Sequence, residues 1–252
     1  MNDRLSLSSP VTVHGRAAFT LIELMVAAAI TSLLLLGMTG VFDQAMKAWR
    51  LSSRRADAER EVRAALTLIQ QDFGGLLLTN NLPILRITNS SDLSLIGPSL
   101  TPVLDGSVAV FFLTTRGGPT TDLAGVGYYV GYDTSTKTYN LYRYFRFGSN
   151  QLAAVTNYLA GNGILFPANT GGDELVGANV VNFRAEFKTL PALFGPVSSQ
   201  DGPSITNRPG YVQLELTAYG SEAVRNFGST NDWTMTNRIQ QSGRTYLWRV
   251  DL

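Results

Sequence analysis

The hydrophobic pattern begins with one long apolar segment near the N-terminus. Residues 17–42 contain a single charged side chain, that of Glu23. A helix of about 20 apolar residues crosses the hydrocarbon core of a bilayer. The pattern therefore predicts a membrane-spanning helix in this segment, preceded by a short polar segment that carries Arg4 and Arg16.

The helical pattern continues beyond the apolar segment. Residues 43–73 contain no Pro or Gly and are rich in Ala, Arg, Glu and Leu. Apolar residues recur there at spacings of four, three and four, at Val62, Leu66, Ile69 and Phe73. This spacing places them on one face of a helix, and the following Gly74 and Gly75 favour its end. We expect one helix up to Phe73 that packs this stripe on the rest of the chain.

From Leu76 onward the pattern has the period of β-strands. A continuous apolar run covers residues 108–113, and residues 127–147 resemble a hairpin with its turn at 133–137. Alternation of apolar and polar residues marks further strands around Phe183, Leu214 and Trp248. The predicted fold class is α+β, with the long helix packed on an antiparallel β-sheet domain of residues 76–252. Residues 148–177, 191–209 and 220–243 are rich in Gly, Asn, Ser and Pro and are predicted to be loops.

Composition excludes several kinds of chemistry. The 252 residues include no cysteine, one histidine (His14) and a formal net charge of +1. Thiolate metal sites, cysteine nucleophiles and a Ser–His–Asp arrangement with a histidine in the domain are therefore excluded. The near-zero charge argues against a nucleic-acid-binding surface. We expect a protein with no enzymatic activity, no cofactor and no bound metal.

One short motif points to an enzyme but lies in the wrong context. Residues 171–175 read GGDEL, which coincides with the signature of diguanylate cyclases. The surrounding pattern is of strands and lacks the alternating helices of such a domain. A turn is the favoured interpretation, and Asp173 with Glu174 offers too few oxygens for calcium, which takes about six to eight.

Glu23 is the most informative residue of the apolar segment. A carboxylate inside a membrane span costs about 2.5–3.5 kcal/mol, so it calls for a partner or a function. The alternative is a glutamate near the membrane boundary that reaches the interface or is protonated.

The residues around Glu23 favour a function. The sequence RAAFTLIELMV at residues 16–26 resembles the N-terminal processing motif of type IV pilins and of the pseudopilins of type II secretion systems. The resemblance implies cleavage between Ala18 and Phe19 by a prepilin peptidase, which also methylates the new N-terminus at Phe19. Ala18 stands where the family usually has glycine. Glu23 becomes the fifth mature residue, which pairs with the N-terminal amine of a neighbouring subunit and sets the register of assembly.

The resemblance also implies domain boundaries and a location. Residues 1–18 form a leader that is removed, residues 19–42 the transmembrane half of the helix, residues 43–73 its amphipathic half, and residues 76–252 a periplasmic domain. The mature protein is expected to cross the inner membrane once, with its N-terminus cytoplasmic, and to enter a periplasmic filament.

The order of elements in the C-terminal region resembles the J-type minor pseudopilins and the related W-type minor pilins. We therefore expect a structural subunit of the initiation or tip complex of a type II secretion pseudopilus. Its implied partners are other pseudopilins or minor pilins, the prepilin peptidase and the inner-membrane assembly platform. The alternatives are a minor pilin of a type IV pilus, and a membrane-anchored hydrolytic or carbohydrate-binding domain that uses the aromatic side chains of residues 127–147.

A charged segment follows the predicted span. Residues 47–63 hold six basic and three acidic side chains. They could bind anionic lipid headgroups or nucleic acid. A solvated helix face with local ion pairs is the favoured interpretation because the two signs are interspersed. Trp49 is expected to act as an anchor at the membrane interface.

Overall fold

The computed structural model describes residues 20–78, 83–88, 107–115, 123–148, 150–160, 172–189, 198–200, 204–205, 209–225, 227–235, 237 and 243–252. The chain falls into two units, Met1–Ser52 and Ser53–Leu252. The predicted α+β class, with a long N-terminal helix and antiparallel sheets, is confirmed.

The first element is helix α1, which spans Leu21–Phe73 without interruption. The backbone N–H of Gly74 donates to the carbonyl of Gln70 at 3.0 Å, and that of Gly75 to the carbonyl of Asp72 at 3.2 Å, which closes the helix end. The predicted apolar stripe is confirmed, since its four side chains are at most 3% exposed: Val62, Leu66, Ile69 and Phe73.

The larger sheet has seven strands, and all of its pairings are antiparallel. Its strands follow the order β6-β5-β4-β3-β2-β9, and β1 pairs with β3. The predicted hairpin corresponds to β4 and β5, which pair along their whole length from Ala124 with Phe147 to Asp133 with Thr138. The strands are β1 (Leu76–Leu77), β2 (Ile84–Ile87), β3 (Ala109–Thr114), β4 (Ala124–Asp133), β5 (Thr138–Phe147), β6 (Glu174–Gly177) and β9 (Ser204–Ile205).

The smaller sheet has four antiparallel strands in the order β11-β10-β7-β8. They are β7 (Val180–Thr189), β8 (Ser198–Gln200), β10 (Tyr211–Tyr219) and β11 (Gly243–Asp251). The single antiparallel sheet of the sequence prediction is therefore two sheets. Alternation alone cannot separate them, because it shows which residues share a face and not which strands pair.

One core joins the end of α1 to the inner faces of both sheets. The ring of Phe73 stacks on Phe112 of β3 with centroids 4.5 Å apart, and lies edge-on to Phe187 of β7 at 6.0 Å. Along β7, Phe183, Ala185 and Phe187 are 0% exposed, as their alternation with charged residues predicts. Burial of these apolar side chains is the main force that holds helix and sheets together.

A second apolar cluster covers the opposite face of the larger sheet. Helix α2 (Asn150–Leu159) packs there through Val155, which is 1% exposed. The prediction of a loop over residues 148–177 is therefore wrong, since this stretch contains α2 and β6. The physical reason is that Phe111 and Tyr142 make the outer face of the sheet apolar, and a helix is needed to cover it.

The other two predicted loops also contain regular structure, so those predictions are wrong in part. Residues 191–209 include β8 and β9, and residues 220–243 include two short helices, α3 (Ser221–Val224) and α4 (Thr230–Thr234). Ser229 and Asp232 form a capping box at the start of α4. This helix places Trp233 edge-on to Tyr139, Tyr219 and Phe227, with ring centroids 4.9–5.7 Å apart.

Candidate assembly site and helix anchor

The predicted assembly residue, Glu23, lies in the first turn of α1. Its backbone N–H donates to the side-chain oxygen of Thr20 at 3.3 Å, so Thr20 satisfies one of the free donors of the helix N-terminus. Glu23 is exposed, and within the part of the chain that the structure describes its carboxylate has no ion pair. The predicted processing residues Ala18 and Phe19 lie outside the described residues.

The unit that carries Glu23 has the surface of a membrane-spanning helix. Residues Leu21–Arg50 have a mean hydropathy of 2.2 over their most apolar window and are 0% buried. The hydroxyls of Thr31, Ser32 and Thr39 donate to carbonyls of the preceding turn at 2.7–2.8 Å. Because their donors are satisfied inside the helix, these polar residues are compatible with a lipid environment.

Within the unit Ser53–Leu252, a buried ion pair holds the end of α1 to the larger sheet. The Arg143 guanidinium of β5 donates to both carboxylate oxygens of Asp72, with Nε–Oδ2 at 2.7 Å and Nη2–Oδ1 at 2.9 Å. The two side chains are 11% and 7% exposed. Such a bidentate pair is the strongest geometry available to arginine and carboxylate. It ties the last turn of the helix to β5, next to the edge strand β6 of the larger sheet.

Two further side chains complete this anchor. The Tyr128 hydroxyl of β4 donates to the same Asp72 carboxylate. Arg143 also donates to Glu174 of β6 through Nη1 at 2.9 Å, and its guanidinium lies 4.1 Å from the ring centroid of Phe145. The helix anchor, defined as Asp72, Tyr128, Arg143 and Glu174, therefore connects α1 with three adjacent strands.

Burial sets the protonation states of the anchor. Burial first, and the nearby Asp72 carboxylate second, raise the pKa of Tyr128 well above its ordinary value. Burial alone would lower the pKa of Arg143, but its hydrogen bonds to Asp72 and Glu174 outweigh this and raise it. Tyr128 therefore stays a neutral donor and Arg143 stays charged throughout the physiological pH range.

Two residues of the GGDEL motif, Asp173 and Glu174, have a structural role next to the anchor. Asp173 accepts hydrogen bonds from the Tyr129 hydroxyl at 2.6 Å and from Arg146 Nη2 at 2.8 Å. Its side chain is 0% exposed, and Glu174 is bound by Arg143. Both carboxylates are thus occupied by arginine. Among the described residues, no group of three or more His, Asp and Glu side chains is placed to hold a metal ion.

Five tyrosines of the hairpin are core residues, whereas Phe147 at its end is 50% exposed. Tyr128, Tyr129, Tyr139, Tyr142 and Tyr144 are at most 4% exposed. A sugar ring needs an exposed aromatic face to stack on, and these five rings do not offer one. The aromatic richness of this segment therefore gives no support to carbohydrate binding by these tyrosines.

The helix anchor was missed by the sequence analysis, although a signal exists. Arg143 follows Tyr139 and Leu141 at alternate positions of β5, on the face that points into the core. Asp72 follows Ile69 by three residues on the buried stripe of α1. A charge in a position where the pattern requires an apolar residue indicates a buried partner of opposite sign.

The apolar helix and the β-rich unit define a class: proteins anchored by one N-terminal membrane helix that continues into an α+β domain. A family described as the prokaryotic N-terminal methylation motif matches residues 14–39, which include Ala18, Phe19 and Glu23. The resemblance found in the sequence is confirmed for this N-terminal segment, and the match supports a type IV pilin-like protein. No curated protein and no solved structure matches the chain. The motif and the helix support an inner-membrane anchor with a single span.

Proposed function

We propose that this chain is a minor pseudopilin, a structural subunit of the initiation or tip complex of a type II secretion pseudopilus. Glu23 carries the proposal. It is an exposed carboxylate at the start of a helix that is otherwise uncharged over residues 21–42. The family motif implies processing by a prepilin peptidase and assembly with other pilins.

The proposed chemistry of assembly is a charge pair between subunits. Cleavage before Phe19 creates a cationic amine, and Glu23 of an adjacent subunit binds it when the two helices are in register. In an apolar environment a carboxylate without a partner costs about 2.5–3.5 kcal/mol, so a subunit out of register is penalised. The pair acts as a device for register as well as a source of affinity.

We propose further that the protein has no catalytic activity of its own. The mature chain that follows Ala18 contains neither histidine nor cysteine. In the described part of the domain, the buried carboxylates of Asp72 and Asp173 are bound by Arg143 and Arg146. Neither is left free to act as a general acid or base.

The register proposal is tested by replacing Glu23 with Gln, which keeps the shape of the side chain and removes its charge. We expect Glu23→Gln to leave membrane insertion and cleavage intact and to reduce co-purification with the other pilin subunits by at least about ten-fold, since the pair is worth more than about 1.4 kcal/mol. Asp43→Asn is the matched control, because it removes one exposed carboxylate further along the same helix. Equal co-purification of Glu23→Gln and the control would exclude the pairing.

A deletion separates secretion from the alternative of a retractile type IV pilus. Loss of protein export with surface piliation intact, restored by the intact gene, supports the pseudopilus. Loss of surface pili with normal export would identify a minor pilin of a type IV pilus instead.

A further inference from the structure

Two basic side chains and one tryptophan follow the membrane-spanning part of α1. Lys47 and Arg50 are exposed, and Trp49 is 73% exposed. We call Lys47 and Arg50 the juxtamembrane basic pair. All three residues belong to the same unit as Glu23.

The position of the pair along the helix corresponds to the headgroup layer. Leu21 and Phe42 bound 22 residues of the helix, which at about 1.5 Å per residue measure about 33 Å and cross the hydrocarbon core of about 30 Å. Lys47 and Arg50 lie about 8–12 Å further along the axis. The headgroup region adds only about 5–8 Å on each side of the core, but helical side chains lean toward the N-terminus, so both basic side chains can reach back to the lipid phosphates. Trp49 has the position of an interfacial anchor.

Among the described residues, no carboxylate neutralises the charges of the pair. In the described part of the structure, neither Lys47 nor Arg50 takes part in an ion pair, although Asp43 precedes Lys47 by four residues, a favourable helical spacing. Further along the helix, the acidic side chain of Glu59 binds Arg244 of β11 at 2.9 Å. The local ion pairs that the sequence analysis favoured for this segment are therefore absent at Lys47 and Arg50.

The basic pair lies on the side of the membrane that basic residues usually avoid. Basic residues favour the cytoplasmic side, yet this pair follows the span and lies on the side that the family places outside the cytoplasm. A negative charge at the same depth would stabilise a basic pair in this position. Anionic phospholipids supply this charge at the required depth and attract each basic residue near their surface.

We propose that Lys47 and Arg50 form a binding site for the phosphate of an anionic phospholipid on the outer surface of the membrane. The two side chains are three residues apart and lie on one side of the helix, so both can contact one headgroup. The ring of Trp49 lies at the membrane interface and keeps the two basic residues at the level of the headgroups. The site fixes how far the helix protrudes from the membrane before the subunit is extracted.

The proposal is tested on the full chain in neutral detergent with equal amounts of phosphatidylglycerol and phosphatidylcholine of identical acyl chains. Native mass spectrometry measures the ratio of the two lipids that stay bound. We expect the unmodified chain to prefer phosphatidylglycerol, by up to about five-fold for each basic residue, and Lys47→Gln/Arg50→Gln to bring the ratio close to one. The double variant Arg63→Gln/Lys137→Gln is the matched control, because it removes two exposed basic charges elsewhere and should keep the preference.

Two further measurements make the result specific. The charge-conserving variant Lys47→Arg/Arg50→Lys should keep the lipid preference, and soluble glycerol phosphate should not displace the lipid. Equal retention of both lipids by the unmodified chain, an equal loss in the control variant, or displacement by glycerol phosphate would overturn the proposal. Charge-dependent binding of DNA by the pair, without a lipid preference, would overturn it as well.

Discussion

Replacement of Asp72 by alanine tests how the helix is held to the β-rich unit. The variant removes a carboxylate that Arg143 binds at 2.7 and 2.9 Å, and it takes the acceptor from the Tyr128 hydroxyl. Loss of one partner of a buried pair costs about 3–5 kcal/mol. The Coulomb energy of two opposite charges about 4 Å apart, at an effective dielectric constant of about 20, is about 4 kcal/mol and agrees with this cost. Glu174 remains 2.9 Å from Arg143, so we expect the lower end, about 3 kcal/mol.

The matched control is Glu174→Ala, which removes the other carboxylate that Arg143 binds. The Glu174 side chain is 55% exposed, so its loss should cost less than about 1 kcal/mol. Asp72→Asn keeps an acceptor for Tyr128 and removes the charge, and its effect should lie between the two alanine variants.

Urea unfolding of the full chain in neutral detergent, followed by near-ultraviolet circular dichroism, measures these differences. With a slope of about 2 kcal/mol per molar, Asp72→Ala should lower the unfolding midpoint by about 1.5 M and Glu174→Ala by less than about 0.5 M. If Asp72→Ala and Glu174→Ala unfold at the same midpoint, the buried pair does not hold the helix and the reasoning is refuted.

Three other perturbations have defined outcomes. Gly127→Ala should lower the free energy of unfolding by about 1–3 kcal/mol in the same urea assay, because its new Cβ would lie 2.1 Å from ring atoms of Phe111; an unchanged midpoint contradicts the packing. Phe73→Ala should lower it by about 3–5 kcal/mol, and a loss under about 1 kcal/mol contradicts its place in the core. Burial raises the pKa of Tyr139 to about 12 and that of Tyr128 further, so their protonated forms contribute stability below about pH 10 that is lost as pH rises. Tyrosinate absorbance should reach full amplitude only on alkaline unfolding, and complete ionisation of the folded protein contradicts this.

The helix and the main strands could be predicted because their signals are local. The stripe from Val62 to Phe73 repeats at the period of a helix, and Phe183 to Phe187 alternate at the period of a strand. Leu152, Val155 and Leu159 have helical spacing, but helix α2 was not predicted. The reason is that the sequence around these residues is rich in Gly and Asn, which is typical of loops. What makes this segment a helix is the apolar outer face of the sheet, which only the folded chain creates.

The helix anchor could not be predicted as a pair, because 71 positions separate Asp72 from Arg143. Each charge interrupts an apolar face, and this signals a buried partner but does not name it. The pairing of β6 with β5 brings Glu174 to the same guanidinium, and a sheet register of this kind cannot be read from alternation. Glu23 differs from the helix anchor, because its role is predicted from the local sequence alone. The local motif is specific, while its proposed partner belongs to another subunit.

Mass spectrometry of the processed N-terminus tests most directly whether the chain is processed as a pilin, since cleavage before Phe19 creates the amine that Glu23 is proposed to bind. The full chain is produced together with a prepilin peptidase, extracted from the membrane and digested, and the first peptide is sequenced. The account predicts a chain that begins at Phe19 and carries one methyl group on its amine, in the unmodified protein and in Glu23→Gln alike. A chain that still begins at Met1, or one cleaved at another bond, would contradict it.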